Sequence, residues 1–350
     1  MKFNKEFLIE NFSISMTSPT FVIAEAGVNH MGDMGAAKDL IDVALEAGAN
    51  AVKFQTFKTE NLILNNIPKA PYQTKTTNAS ETQYDMLKKL EVSGEQNYEL
   101  KQYCLKQGIM FLTTPFDEES LLELDQLELP AYKVASTDTT NLPFLKKIAK
   151  KGKPIILSTG MSYLSEVSLA LETIHQYNKD VILLQCTANY PIEDNEANLA
   201  VINTFRDNFD ILLGYSDHSE GVGAAPFAVS MGAKVVEKHF TMNKNDIGPD
   251  HAASLSPSQL IDFIRTVRRV DTYMGSGIKE PSFSEQKTRK SLQKCIVASQ
   301  DIKKGTQFSD DNLTAKRTGG VGISPIEVDK LIGVNSPKNY EKNEVIESLR

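Results

Sequence analysis

Cysteine is scarce in this chain, and the three that occur, Cys104, Cys186 and Cys295, are widely spaced. They are too few for a disulfide framework and too scattered for a zinc-binding cluster. No apolar run approaches the length of a membrane span, and residues 1–19 lack the apolar core of a signal peptide. These absences predict a cytoplasmic protein that does not associate with a membrane.

Phosphate-binding loops and an excess of positive charge are also absent. The sequence contains neither a G-x-x-x-x-G-K-[ST] loop nor a G-x-G-x-x-G fingerprint. Its 38 Lys and Arg residues are outnumbered by 45 Asp and Glu residues, which gives a formal net charge of -7. Such a chain has no general attraction for nucleic acid or anionic membranes, so any anionic substrate must be held by individually placed Lys and Arg side chains.

Short apolar runs recur along the chain, and each is followed by a segment with helical periodicity. Residues 36–47 and 165–177, for example, each carry an apolar stripe at the spacing of one helix face. Eight alternations closed by a helix over residues 257–273 predict a (β/α)8 TIM barrel, with a doubly wound open sheet as the second choice. The eight predicted strands cover residues 21–27, 51–57, 109–115, 131–136, 154–159, 181–186, 211–217 and 233–240.

Changes in composition divide the chain into further parts. An N-terminal extension, residues 1–20, precedes the barrel, which is predicted over residues 21–274. The long insertion at residues 62–90 follows a strand, a position that favours a lid or substrate loop. A Gly-, Ser- and charge-rich linker is predicted at residues 275–290, and the short apolar pieces of residues 291–350 predict a small domain of strands and turns.

Two histidines follow predicted strands at positions suited to chemistry. Side chains alternate along a strand, so Glu237 and His239 share one face of the run at residues 235–241. His218 follows the preceding strand, and two such strand ends can bring both imidazoles to one divalent metal ion. A lone histidine more often has a structural role, but the position of both at strand ends, in a chain with five histidines, makes a metal site an equal alternative.

Seven motifs, in order, resemble those of the sialic acid synthase family, and the resemblance covers nearly the whole chain. The motifs are AEAGVNH at 24–30, VKFQTF at 52–57, FLTTPFD at 111–117, STGM at 158–161, GYSDH at 214–218, EKHFT at 237–241 and GPDH at 248–251. The tail, with DIKKG at 301–305 and KR at 316–317, looks like the antifreeze-like (SAF, β-clip type) domain of this family. The resemblance implies condensation of phosphoenolpyruvate with an N-acetylated mannosamine-type sugar.

A phosphoenolpyruvate site needs cations and hydrogen-bond donors, because its phosphate and carboxylate are costly to remove from water. Lys53 and Lys133 are predicted to supply the charge, since a lysine inside an apolar strand is unfavourable unless it is paired. The resemblance implies that the phosphate and carboxylate are also bound by polar residues at strand ends, namely Thr114, Ser136, Ser158, Asn189 and Ser216.

The resemblance also implies roles for the remaining site residues. A metal on His218 and His239, Mn2+ or Mg2+ with Co2+ as a further choice, polarises the sugar aldehyde, and Glu25 orients or deprotonates a water. A Glu25–Lys53 pair with only a structural role is the alternative for that carboxylate. The sugar is expected to contact Gln55, Asn78, Tyr190, Asp250 and, from the tail, Arg317. Arg317 is expected to reach the partner's barrel in a domain-swapped homodimer.

Two positions depart from the family pattern or lack a clear role. Residues 136–138 read Ser-Thr-Asp where many relatives have Ser-Gly-Glu, which leaves the role of Asp138 open. His251 is either a sugar contact or a loop residue.

The function placed first is N-acetylneuraminate synthase, and the alternative is N,N'-diacetyllegionaminate synthase, which uses 2,4-diacetamido-2,4,6-trideoxymannose in the same chemistry. A non-catalytic carbohydrate-binding protein and a metal-dependent hydrolase are less compatible with the sequence. The first would not need Glu25, Lys53 and Lys133, and the second would usually offer more metal ligands.

Overall fold

The computed structural model describes residues 1–77 and 80–347, without the side chains of Tyr72 and Lys75. The chain forms two compact units, Met1–Ser276 and Gly277–Arg350. The first is an α/β barrel, and the second is a small unit built mainly from turns and short strands.

Ten strands of the first unit form an antiparallel hairpin and one parallel sheet. The hairpin consists of β1 (Glu6–Ile9) and β2 (Phe12–Ser15). The sheet contains β3 (Phe21–Gly27), β4 (Ala51–Thr56), β5 (Met110–Pro115), β6 (Tyr132–Val134), β7 (Ile155–Ser158), β8 (Val181–Cys186), β9 (Leu212–Asp217) and β10 (Val235–His239). Its hydrogen-bonded order is β5-β4-β3-β10-β9-β8-β7-β6, and the end strands β5 and β6 also lie side by side. The sheet is therefore a nearly closed barrel, as predicted, and the alternative of an open doubly wound sheet is wrong.

The helices of this unit lie around the barrel, apart from three short ones in the long segment that follows β4. They are α1 (Met34–Glu46), α2 (Thr59–Leu62), α3 (Pro71–Thr76), α4 (Gln83–Lys88), α5 (Gly94–Gln107), α6 (Glu118–Asp125), α7 (Leu142–Ala149), α8 (Leu164–His175), α9 (Val201–Asn208), α10 (Ala225–Ser230) and α11 (Pro257–Met274). In α1 the Asp33 side chain caps the first turn by accepting from Ala36 N, and the buried stripe includes Leu40 and Ile41. Among the helices that the structure describes, none is both long and apolar enough to cross a membrane.

The β1–β2 hairpin closes the amino-terminal end of the barrel. Phe7, Ile9 and Ile14 of the hairpin pack in one buried cluster with inward-facing strand residues such as Ile23 and Leu112. The outward-facing residues of the same strands belong to a second cluster shared with the helices. Because side chains alternate along each strand, the barrel has an apolar floor, and the next inward layer lies at the carboxyl ends of the strands.

Within residues 277–347, the second unit has the α-helix α12 (Phe283–Leu292), a 3-10 helix at Pro325–Lys330 and the paired strands β11 (Lys294–Ala298) and β12 (Leu313–Arg317). Its small core includes Ile296, Phe308 and Ile346. Helix α12 takes up part of the segment predicted as a linker, residues 275–290. It begins at a capping box in which Ser282 Oγ accepts from Glu285 N.

Candidate active site

A cavity of about 430 Å³ opens at the carboxyl ends of the barrel strands. Every strand contributes one inward-facing residue to its base, in the layer above the apolar floor. These eight residues are Glu25, Lys53, Thr114, Lys133, Ser158, Cys186, Ser216 and Glu237. Inward-facing residues lie two positions apart along each strand. The barrel interior therefore changes from apolar to polar between one inward-facing position and the next.

Four charged side chains meet at the base of this cavity. Lys53 Nζ lies 2.8 Å from Glu25 Oε2 and 3.6 Å from Glu237 Oε2. Lys133 Nζ lies 3.4 Å from Glu237 Oε1. All four side chains are at least 94% buried, so each charge depends on the others in place of water. Two ammonium groups are thereby held at the base of a cavity, each by a carboxylate.

Hydroxyl groups complete the surroundings of this four-charge cluster. Lys53 Nζ donates to Thr114 Oγ1 and Lys133 Nζ donates to Ser158 Oγ, both at 2.8 Å. Ser216 Oγ donates to Glu237 Oε1 at 3.0 Å. These hydroxyls hold the charged groups in place and are also donors for an anionic ligand.

Burial and the neighbouring charges shift the two carboxyl groups in opposite directions. Complete burial raises the pKa of Glu25 to about 7, although Lys53 opposes this shift. Burial also acts upward on Glu237, but Lys133 and Lys53 outweigh it and lower the pKa of Glu237 to about 2. Glu237 is therefore a fixed anion, whereas Glu25 can exchange a proton near neutrality.

Burial acts to lower the pKa of both lysines, but the net shift is downward only for Lys133. For Lys53 the carboxylates of Glu237 and Glu25 outweigh burial, and its pKa is raised. Lys53 therefore remains cationic across the physiological range.

The two predicted imidazoles lie next to each other on the cavity wall. The ring centroids of His218 and His239 are 5.6 Å apart, and the Tyr190 ring lies 4.1 Å from His218 and 5.6 Å from His239. Burial lowers the pKa of His239 far below its usual value. Burial also acts downward on His218, but the Cys186 thiol and the Thr187 carbonyl outweigh it and raise its pKa.

The donor atoms of these imidazoles are compatible with a metal ion that has two protein ligands. His218 Nδ1 donates to Thr187 O at 2.7 Å, which leaves Nε2 as the coordinating nitrogen. Buried His239 Nδ1 has no hydrogen-bond partner and lies 4.0 Å from Asp250 Oδ2. Across residues 1–77 and 80–347, no three His, Cys, Asp or Glu side chains are grouped to hold a metal. Any ion here would therefore take its remaining ligands from water or substrates.

The loop that follows β10 presents Asp250 to the cavity. Burial raises the pKa of Asp250 to about 6. Ser254 Oγ donates to Asp250 O at 2.7 Å and is itself contacted by Asn29 Nδ2 at 3.0 Å. His251 is buried and its Nδ1 lies 2.7 Å from Thr241 Oγ1. His251 therefore anchors this loop and does not line the cavity.

The insertion at residues 62–90 contributes to the cavity mouth, in agreement with its predicted role as a lid or substrate loop. Leu62 and Leu87 line the cavity and pack against the buried cluster of Val28, Phe57 and Leu90. The further lining residues of the insertion are Ile63, Ala70, Gln73 and Gln83. The entrance is thus more apolar than the base.

Most of the predicted site residues line this single cavity. They are Glu25, Lys53, Gln55, Thr114, Lys133, Ser136, Ser158, Tyr190, Ser216, His218, His239 and Asp250. Asn189 is exposed and is not among the lining residues. Asn78 lies outside the described residues, and Arg317 is an exposed residue of β12 in the second unit. Asp138 is buried beside the cavity, where its Oδ1 accepts from Asn141 Nδ2 at 3.0 Å.

Two side chains of the site are absent from the set predicted from the sequence. The strand pattern indicates Glu237 only as the neighbour of His239, yet it is the carboxylate shared by Lys53 and Lys133. Its position two residues before His239 is a signal that could have identified it. Cys186 contributes to the cavity base because it ends β8 on the inward face, which the strand alternation also predicts.

Comparison with known proteins gives the chain a family. The model of the NeuB family matches residues 40–279, and the model of the SAF domain matches residues 293–347. The N,N'-diacetyllegionaminic acid synthase of Campylobacter jejuni is 46% identical over 93% of this chain and 98% of that protein. The enzyme of the same name from Legionella pneumophila is 43% identical over 89% of each chain.

A solved structure supports the same relationship. The crystal structure of an N-acetylneuraminic acid (sialic acid) synthetase from Leptospira borgpetersenii matches with a TM-score of 0.73 and 32% sequence identity. The match covers 83% of this chain and 98% of that chain. The chain therefore belongs to the NeuB family, is an enzyme of the sialic and legionaminic acid synthase type, and carries a SAF domain at its carboxyl end.

Proposed function

We propose that this enzyme condenses phosphoenolpyruvate and water with 2,4-diacetamido-2,4,6-trideoxymannose, giving N,N'-diacetyllegionaminate and phosphate. The observation that carries the proposal is that two buried lysines, two carboxylates and two imidazoles line one cavity, in a chain 46% identical to a legionaminic acid synthase. The comparisons favour this acceptor over N-acetylmannosamine, which the sequence analysis placed first.

Charge supports phosphoenolpyruvate as the ligand of the deepest layer. Lys53 and Lys133 are the cations nearest the base, and Thr114, Ser158 and Ser216 supply hydroxyl donors around them. A phosphate and a carboxylate side by side require such a set of cations and donors. We assign both lysines to this ligand.

The same charges support a divalent cation in the site. With both carboxylates ionised, the two lysines and two glutamates sum to zero, whereas phosphoenolpyruvate brings up to three negative charges. Burying such an anion against a neutral cluster is unfavourable unless further positive charge is present. We propose that His218 and His239 hold Mn2+ or Mg2+, with Co2+ as a further choice. When bound, the ion supplies Lewis-acid polarisation of the sugar aldehyde.

In the proposed reaction the enzyme holds the two substrates so that one carbon–carbon bond can form. The methylene carbon of phosphoenolpyruvate attacks the aldehyde carbon, and water then adds to the former enol carbon before phosphate leaves. Glu25 accepts the proton of that water, a role that suits a carboxyl group with a pKa of about 7. Tyr190, Gln55 and Asp250 are assigned to the sugar, because they lie on the walls above the charged layer.

The apolar entrance supports the diacetamido-trideoxy sugar in particular. This acceptor carries a methyl group at C6 and two acetamido methyls, whereas N-acetylmannosamine carries a hydroxymethyl group and one acetamido group. Leu62, Leu87, Phe57 and Met161 are apolar residues of the cavity lining. Burying such methyl groups against these apolar side chains removes them from water, which is favourable.

A homodimer with exchanged tails is also proposed. Arg317 is an exposed cation of the second unit, as expected of a residue that contacts a barrel other than its own. We assign it to the acetamido end of the sugar on the partner's barrel.

The cytoplasm is proposed as the compartment, because phosphoenolpyruvate is a cytoplasmic metabolite and the three cysteines are free.

The acceptor is tested by measuring phosphate release from phosphoenolpyruvate with each sugar in turn, in the presence of Mn2+, Mg2+ or Co2+. We expect kcat/KM for the diacetamido sugar to exceed that for N-acetylmannosamine about 10- to 200-fold, the usual selectivity for small apolar groups. Equal or better use of N-acetylmannosamine would replace the proposed acceptor. If no amino sugar supported phosphate release, the proposed reaction itself would be contradicted.

A further inference from the structure

The residues that precede the two imidazoles form an ion pair on the opposite side of the sheet. Asp217 and Lys238 are direct cross-strand partners in the β9–β10 ladder, one position before His218 and His239. Lys238 Nζ lies 2.9 Å from Asp217 Oδ2, and the two side chains are 1% and 0% exposed. Neither residue lines the cavity, so this pair does not contact a substrate there.

The pair holds the chain on both sides of His218. Lys238 Nζ also donates to Ser219 O at 2.7 Å, and Ser219 N donates to Asp217 Oδ1 at 2.9 Å. The residues before and after His218 are therefore both bound, directly or through Asp217, to the residue next to His239. A displacement of either histidine backbone would break these hydrogen bonds.

The surroundings leave this network little room to move. Ala225 N donates to Asp217 Oδ2 at 3.1 Å, which fixes the start of α10 to the same carboxylate. Gly223 has a φ of +60°, and a Cβ at this position would lie 2.1 Å from Ser219 Oγ and 2.8 Å from Lys238 Nζ. The loop from β9 to α10 therefore needs glycine at this point, both for its backbone angle and for the space that the pair occupies.

Stability alone is a weak explanation for such a pair. Removing two charges from water has a large cost, and well-packed apolar residues in place of a buried ion pair often leave a protein equally or more stable. A buried pair with fixed geometry can instead specify one arrangement of the chain. Here the arrangement that the ion pair can specify is the relative position of the two imidazoles, whose ring centroids are 5.6 Å apart.

We propose that Asp217 and Lys238 are positioning residues that set the spacing of His218 and His239 for a divalent metal ion. The inference rests on the proposed function, because it requires the imidazoles to share a metal. The rest of the site is positioned separately: Lys53 is held by β4 and by Thr114, without a contact to the pair.

The test is a titration of the full-length protein with Mn2+ alone, followed by electron paramagnetic resonance of the free ion. Lys238→Met keeps the length of the side chain but removes the charge and the bond to Ser219 O. We expect Mn2+ to bind at least 10-fold more weakly to the folded variant than to wild type. Phosphoenolpyruvate binding, measured by calorimetry at a Mn2+ concentration that saturates both proteins, should change less than 2-fold.

Asp271→Asn is the matched control for a general loss of stability. Asp271 accepts from Thr20 N at 2.9 Å and from Thr20 Oγ1 at 2.6 Å, at the amino-terminal end of β3. This variant should lower the melting temperature without changing the affinity for Mn2+. If Lys238→Met fails to fold, the double variant Asp217→Asn, Lys238→Met removes both charges and leaves neither buried alone. We expect the same loss of Mn2+ affinity from it.

The outcomes separate the inference from the proposed function. Wild-type Mn2+ affinity in a folded Lys238→Met or double variant would overturn the positioning role and leave the metal role standing. Failure of wild type to bind Mn2+, Mg2+ or Co2+ would overturn both. An equal loss of affinity in Asp271→Asn would show that any destabilisation weakens the site, and would also overturn the positioning role.

Discussion

Replacing Lys133 by Met tests how the deepest layer of the cavity recognises its ligand. Lys133 donates to Ser158 Oγ at 2.8 Å and lies 3.4 Å from Glu237 Oε1. Methionine has a similar length and fills the same space, but it carries no charge and donates no hydrogen bond. Glu237 keeps two partners in the variant, Lys53 at 3.6 Å and Ser216 at 3.0 Å. The fold should therefore survive the change.

The magnitude follows from the contact that is lost. A hydrogen bond to a charged group is worth about 1.5–3 kcal/mol, and each 1.4 kcal/mol is a factor of ten in affinity. The substitution also makes the four-charge cluster more negative by one unit, which opposes an anionic ligand. We therefore expect the KM for phosphoenolpyruvate to rise about 10- to 150-fold, and the KM for the sugar to change less than about 3-fold.

Initial rates of phosphate release, with each substrate varied at several fixed concentrations of the other, measure both constants. Lys53→Met should behave in the same way as Lys133→Met. Lys151→Met is the matched control, because Lys151 is ion-paired with Asp125 at 2.7 Å but does not line the cavity. A rise in the sugar KM with an unchanged phosphoenolpyruvate KM would refute the assignment of these lysines.

Three further predictions concern the metal, the carboxyl group and the second unit. His218→Ala or His239→Ala should lower kcat at least about 1000-fold in a folded protein, and chelation should do the same to wild type; full activity after proven removal of metal would contradict this. In the metal-free protein, burial raises the pKa of Glu25 from 4.5 to about 7. The folded state then binds the proton more tightly than the unfolded state, so stability should fall by about 3 kcal/mol as the pH rises from 4.5 through 7. Glu25→Gln should remove that part of the pH dependence of the melting temperature, and an unchanged dependence would contradict the shift. Mixing inactive Glu25→Ala and Arg317→Ala chains should restore about a quarter of wild-type activity if tails are exchanged, since half the dimers are mixed and half their sites intact. A mixture that stays inactive would exclude exchange.

The barrel was predictable from sequence because its signals are local and repeated. The predicted strands at residues 21–27 and 181–186 have the observed bounds of β3 and β8. The strand predicted over residues 131–136 is shorter, Tyr132–Val134, because the chain turns into a 3-10 helix at Ser136–Asp138. The polar ends of apolar strands likewise predicted a common rim, since parallel strands place their carboxyl ends together.

The parts that sequence did not predict depend on contacts between distant segments. The first twenty residues contain the β1–β2 hairpin, whose four-residue strands are too short for a clear periodicity and whose turn places Glu10 at a φ of +51°. Pairing of Glu237 with two lysines from other strands is a product of barrel closure. The buried position of Asp138, held by Asn141, is set by a turn and not by a strand end.

The hairpin that closes the barrel floor also restricts the order in which ligands can bind. With Phe7, Ile9 and Ile14 packed below the charged layer, the cavity has its mouth only on the opposite side of the barrel in the part of the chain that the structure describes. On the proposed function, phosphoenolpyruvate occupies the deeper position and the sugar the position nearer the mouth. A sugar that arrived first would block the path of the second substrate and form a dead-end complex. The kinetics should therefore be sequential and ordered, with phosphoenolpyruvate first, and high concentrations of the acceptor sugar should inhibit the enzyme competitively with phosphoenolpyruvate.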